Sequence, residues 1–94
     1  MARLTRALDN SESYIVDDDK VIQDGSGYSG EAINKLAKFE NMCDDLAANQ
    51  NEISKKLEAL RDEGKTNLYK FKELMAQKLT NSNMLILLKT YGLQ

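Results

Sequence analysis

Gly64, Lys65 and Thr66 stand in the order that closes a phosphate-binding loop. Such a loop needs another glycine five residues before the second one, and a strand leading into it. Position 59 is Ala59, and the residues before Gly64 carry a helical pattern rather than a strand pattern. The triplet therefore reads as a turn between two helices, with Gly64 in the left-handed conformation that ends a helix and Thr66 or Asn67 capping the next one. Beyond the turn, Lys65, Tyr69 and Lys72 fall at i, i+4 and i+7, which places them on one helix face. Lysine donates to phosphate oxygens and tyrosine stacks on bases. These three, with Asn81 and Asn83 as polar readers, form the candidate ligand-binding set for a nucleotide or phosphorylated ligand. A solvated lysine face is the plainer reading of the same residues.

The acidic residues give less. Asp17, Asp18, Asp19 and Asp24 suggest a calcium loop, but a loop begun at Asp17 needs an oxygen ligand at 21 and a glutamate at 28. Those positions hold Val21 and Tyr28, so a solvated acidic turn is expected, with a weak cation site or a contact for a basic partner as the alternatives. Asp44 with Asp45, and Asp62 with Glu63, are helix neighbours about 100° apart and make no acid–base pair. With no histidine, a His-based triad or a His acid–base pair is impossible within the chain, and with one cysteine besides, a zinc site is not expected. The expectation is a non-enzyme with no cofactor and no metal.

One cysteine in 94 residues allows no internal disulfide, and the chain reads as cytoplasmic. The opening residues lack the apolar core of a signal peptide, and the run Met84–Leu88 is too short to span a membrane. A content of 41% hydrophobic and 30% charged residues places the chain among folded proteins rather than disordered ones. Charge is divided unevenly. Residues 1–64 carry eight basic and fourteen acidic side chains, and residues 65–94 carry five and one, so balances of −6 and +4 make up the net −2. An acidic helix beside a basic one accounts for this, as does a basic ligand face in the last third. Duplex DNA is an unfavourable partner for a net-acidic chain.

The elements that position these residues follow from periodicity. One domain is expected, divided into an arm at 1–28, a long helix at 29–63, a second helix at 65–80 and a short C-terminal helix at 84–92. Residues 1–13 read as loose. Tyr14–Val16 and Val21–Gln23 read as two short extended runs, forming either a small hairpin or an arm. The glycines and serines of 25–30 read as a loop, with Ser29 as an N-cap. From Glu31 onward, Leu36, Phe39, Cys43, Leu46, Gln50, Ile53, Leu57 and Leu60 alternate at spacings of three and four, a heptad seam with one polar member. A helix of that length extends about 50 Å, more than a chain this short covers alone, so part of the seam is expected to meet another copy. Leu68, Phe71, Met75 and Leu79, widened by Leu74, form the expected stripe of the second helix. The Asn and Ser residues of 80–83 are expected to end it. The last helix is apolar nearly all round and is expected to be buried, with Gly92 as its C-cap. The fold class expected is mainly α: a long helix and shorter helices in an antiparallel hairpin with an N-terminal extended or β-hairpin arm, in an oligomeric helical assembly.

Residues 30–41, GEAINKLAKFEN, resemble a motif of small phage and prophage proteins from Gram-positive bacteria. There, a glycine-containing loop leads into a helix reading roughly A-x-x-K-L-A-x-[YF]-E. Residues 64–93 are similar to the tail of such proteins, and the two stretches together cover under half of the chain. Most members of that group have no assigned function, so no functional residue is carried over. What the resemblance implies is a phage context, in which a small, non-enzymatic, helical, self-associating protein serves to neutralise a host defence system. Two mechanisms fit: sequestration of a cyclic nucleotide signal by Lys65, Tyr69, Lys72, Asn81 and Asn83 at a subunit interface, or occlusion of a host defence protein, such as a CRISPR effector, by the acidic face of Asp44, Asp45 and Glu52. The alternative from another class is a structural coiled-coil adaptor in phage assembly.

Overall fold

The computed structural model describes residues 2–9 and 12–94, which divide into two compact units with the boundary between Asn41 and Met42. Four short strands and two helices follow one another: β1 (Thr5–Ala7), β2 (Tyr14–Val16), β3 (Ile22–Asp24), β4 (Gly27–Ser29), α1 (Glu31–Asp62) and α2 (Tyr69–Thr90). The protein is thus mainly α with a β-hairpin arm.

In the first unit the extended runs pair differently from the sequence expectation. β1 pairs antiparallel with β2, Arg6 opposite Ile15, and β3 pairs antiparallel with β4, Gln23 opposite Tyr28. Residues 5–7 are therefore a strand rather than loose chain, and 27–29 a strand rather than loop. The reason is local. Asp24 Oδ1 accepts hydrogen bonds from the amides of Ser26 and Gly27 and from the Ser26 hydroxyl. That closes a tight turn and forces the glycine-rich segment back along β3. Ser29 ends β4 and caps nothing; α1 opens instead on Gly30, whose carbonyl accepts the Asn34 amide. Gly30 has φ +115°, and a Cβ there would lie 2.8 Å from the Lys20 carbonyl oxygen. No other residue fits that close approach between the turn at 18–20 and the helix start. Lys20 Nζ then reaches Glu31 at 3.1 Å.

In the second unit the two helices form an antiparallel hairpin. Cys43, Leu46, Ile53 and Leu57 of α1 are buried, and Leu57 has no exposed surface. Ile53, Leu57 and Leu74 form the core cluster, with Leu60 and Phe71 packed against it. The seam expected on α1 is real, but within the chain α2 covers it, so this part of it needs no second copy. Leu36, the seam's first member, lies in the first unit and is 53% exposed. The turn is the one expected: Gly64 has φ +71°, its amide bonds to the Arg61 carbonyl and the Lys65 amide to the Leu60 carbonyl, the paired bonds of a Schellman motif. Neither Thr66 nor Asn67 caps α2; the N-cap is Leu68, with no side-chain bond.

α2 corrects three expectations. It runs without a break through residues 80–83, where two helices were expected. Three of the four polar side chains there, Thr80, Asn81 and Ser82, find partners that suit a helix. Thr80 Oγ1 donates to the Ala76 carbonyl, Asn81 Nδ2 donates to Asn49 Oδ1 at 2.9 Å, and Gln50 Nε2 donates to Ser82 Oγ and to the Lys78 carbonyl. Contacts across the hairpin override a weak local preference. The phase of the stripe also differs. Phe71, Leu74, Lys78, Asn81, Ser82, Leu85 and Leu88 are the less exposed positions, whereas Met75 and Leu79, and Leu68 just before the helix, are exposed. The last turns are not buried all round: Ile86 and Leu87 are 63% and 59% exposed. Gly92 is the C-cap glycine expected, with φ +74° and a second Schellman pair from its own amide and that of Leu93.

Candidate functional site

The five candidate ligand residues do not converge within the chain. Lys65 lies in the Schellman turn, not on a helix, and its ammonium pairs with Glu63 Oε2 at 2.9 Å. It therefore does not share a helix face with Tyr69 and Lys72. Tyr69 opens α2 and is 80% exposed, and Lys72 is exposed on the following turn. Asn81 is twelve residues further on, about 18 Å along the helix from Tyr69. It is buried, and its amide is engaged by Asn49. Asn83 is exposed. The polar reader closest to the hairpin centre thus already holds the two helices in register.

The three candidate partner residues are exposed, as a contact surface requires. They do not share one face. Asp45 and Glu52 are two turns apart on one side of α1, while Asp44 is rotated about 100° from its neighbour. Glu52 forms an i,i+4 pair with Lys56 at 3.3 Å, an exposed contact of little energetic weight.

What the sequence reading missed is the apolar company of Asp45. With the seam fixed on 71, 74, 78, 81, 85 and 88, Met84 and Leu87 of α2 and its C-cap residue Tyr91 occupy a second line at spacings of three and four. They are 39%, 59% and 74% exposed. The cross-hairpin bonds set the pair Asn81 and Ser82 opposite the pair Asn49 and Gln50. That brings this line level with Met42 and Asp45 on the same side of the hairpin, and Met42 is 40% exposed. The surface has two flexible thioethers, a leucine and a tyrosine, with a carboxylate at its edge. A protein interface has this anatomy: an apolar centre, an aromatic anchor and a polar rim. The missed signal was the phase of α2, which depends on where α1 lies.

No family of known proteins, no curated protein and no solved structure matches this chain. The site must be read from its own geometry.

The first unit holds a separate apolar cleft of about 460 Å³, lined by Leu4, Val16, Val21, Ile33, Leu36 and Phe39 with Arg3 and Lys35 beside it. It can accept an apolar side chain, and its lining carries no group suited to bond-breaking chemistry. Among the described residues no cluster of histidine, cysteine, aspartate or glutamate could hold a metal ion. No helix among the described residues is long and apolar enough to cross a membrane. Cys43 is free and buried in the hairpin seam.

Proposed function

We propose that this chain is a non-enzymatic protein-binding module of a phage that acts by covering a surface of a host defence protein. The observation that carries the protein-binding reading is the exposed line Met84, Leu87 and Tyr91 beside Met42 and Asp45. Covering a large apolar side chain that is half exposed contributes about 1 kcal/mol. Four together outweigh what exposed ion pairs on this helix could supply. Sequestration of a cyclic nucleotide fits less well, because Asn81 is committed to Asn49 and Lys65 to Glu63. The phage context and the defence target rest on the resemblance of residues 30–41 and 64–93.

The test is plating. Bacteria carrying an active defence system are challenged with a sensitive phage, with and without the chain expressed. Wild-type protein should raise plaque numbers. The double variant Leu87→Asp, Tyr91→Asp should not, while melting at the wild-type temperature, since both side chains are largely exposed. If Lys65→Ala or Tyr69→Ala abolishes the effect and the double variant does not, nucleotide capture replaces protein binding as the mechanism. If wild-type protein protects no phage against any defence system tried, the counter-defence reading fails and an assembly adaptor takes its place.

A further inference from the structure

The hairpin has an opposite side, and its pattern is self-complementary. On α2 the exposed residues Met75, Leu79 and Ile86, with half-buried Ser82, run at spacings of four, three and four, about 110° around the helix from the seam. Leu79 and Ser82 lie at equal distances on either side of the midpoint between Thr80 and Asn81, and so do Met75 and Ile86. A two-fold interface demands this property: residue i meets j, and j meets i. α1 repeats it independently. On the same side of the hairpin it presents Ala47 and Ser54, small residues equally spaced about the midpoint between Gln50 and Asn51. The two midpoints coincide in height, because the Asn81–Asn49 and Gln50–Ser82 bonds set residues 81 and 82 level with 49 and 50. One axis therefore serves both helices.

We propose that this face docks a second copy of the chain, α2 antiparallel to α2 about a two-fold axis through the midpoint of Thr80 and Asn81, forming a four-helix bundle. Met75 then packs on Ile86 of the second copy, and Leu79 on its Ser82. Ser82 is ready for this contact, since its hydroxyl already accepts the Gln50 amide at 2.8 Å. Ala47 and Ser54 let the paired α1 helices approach. The size is adequate. A helix of 22 residues is about 33 Å long, and two helices side by side are about 20 Å wide. The projected face is thus roughly 650 Å², close to the ~800 Å² per partner of a standard stable interface. Lys72 of one copy comes level with Lys89 of the other, so the ends of the seam carry like charges and the dimer tightens as salt is added. The inference goes beyond the proposed function and needs no host component, so each can fail alone.

The test uses the full chain with Cys43→Ala and the double change Met75→Cys, Ile86→Cys. Eleven residues separate the two thiols, about 16 Å along one helix, too far to close within a chain. Under diamide as oxidant the double variant should become a covalent dimer, and the single variant Met75→Cys should not, because its two copies of that residue also lie about 16 Å apart. Native mass should show a dimer for wild-type protein, and Leu79→Lys should weaken it at least about tenfold without loss of helix content. Equal cross-linking by the single variant would mean a parallel arrangement and overturn the axis. A wild-type monomer at millimolar concentration, or a dimer lost on adding salt, would overturn the face itself.

Discussion

Asp24 shows what one side chain does in the arm. Its Oδ1 takes three hydrogen bonds from Ser26 and Gly27, led by the Ser26 amide, and these hold its carboxyl below the ordinary value of 3.8. The bonds favour the ionised form, so their support for the turn is present above 3.8 and is lost as pH falls through the lowered folded value. The Ser26 and Gly27 amide resonances should shift together with a midpoint under 3.8, and a midpoint at or above it would refute the bonded turn. Lys20 works in the other direction. Its hydrogen bond and charge interaction with Glu31, with smaller help from Asp19 and Asp17, raise it above its ordinary 10.5. Gly30 admits no Cβ beside the Lys20 carbonyl. Gly30→Ala should cost about 1–3 kcal/mol, read as earlier loss of arm and helix-start resonances on warming. An unchanged arm would mean that the contact relaxes freely.

At the scale of elements, the hairpin depends on a polar layer inside an apolar seam. Asn49, Gln50, Asn81 and Ser82 bond across the two helices, and Gln50 Oε1 is buried without a partner among the described residues. Leu–Leu packing alone tolerates sliding by a heptad, whereas these directional bonds are satisfied in one alignment only. Asn81→Ala should lower stability by about 1–3 kcal/mol, since Asn49 loses its donor in a part-buried site, while Asn83→Ala, exposed on the same helix, should stay within ~0.5 kcal/mol of wild type. Urea midpoints decide between them, and equal midpoints would remove the register role given to Asn81.

At the scale of the whole molecule, the proposed two-fold dimer would add to a thin core. The hairpin buries only five apolar side chains below about a tenth exposure, thin for 53 residues. If the two-fold dimer adds Met75, Leu79 and Ile86 to a shared core, the melting temperature rises with protein concentration. Leu79→Lys should flatten that dependence. The side carrying Met84, Leu87 and Tyr91 stays open in such a dimer, so two copies of the proposed partner surface would face away from the axis.

Much of this was legible in one dimension. The a/d spacing of Cys43, Leu46, Ile53 and Leu57, the glycine at 64 and the glycine at 92 are local signals, and each specifies its own backbone or its own buried face. The two strand pairs were half legible: the extended runs at 14–16 and 21–23 are visible, but their partners are set by the Asp24 turn and by a first strand with no hydrophobic pattern. α2 was not legible in phase or in length. Its apolar residues lie on three sides, so periodicity cannot choose which of them faces α1. Its Asn-rich middle reads as a break until Asn49 and Gln50 stand opposite to receive it. The residues Lys65, Tyr69, Lys72, Asn81 and Asn83 do not converge within one chain, because Lys65 lies in the turn and Asn81 faces Asn49. A helix face is a property of one chain segment, but burial is a property of two segments brought together, and only the tertiary structure brings them together.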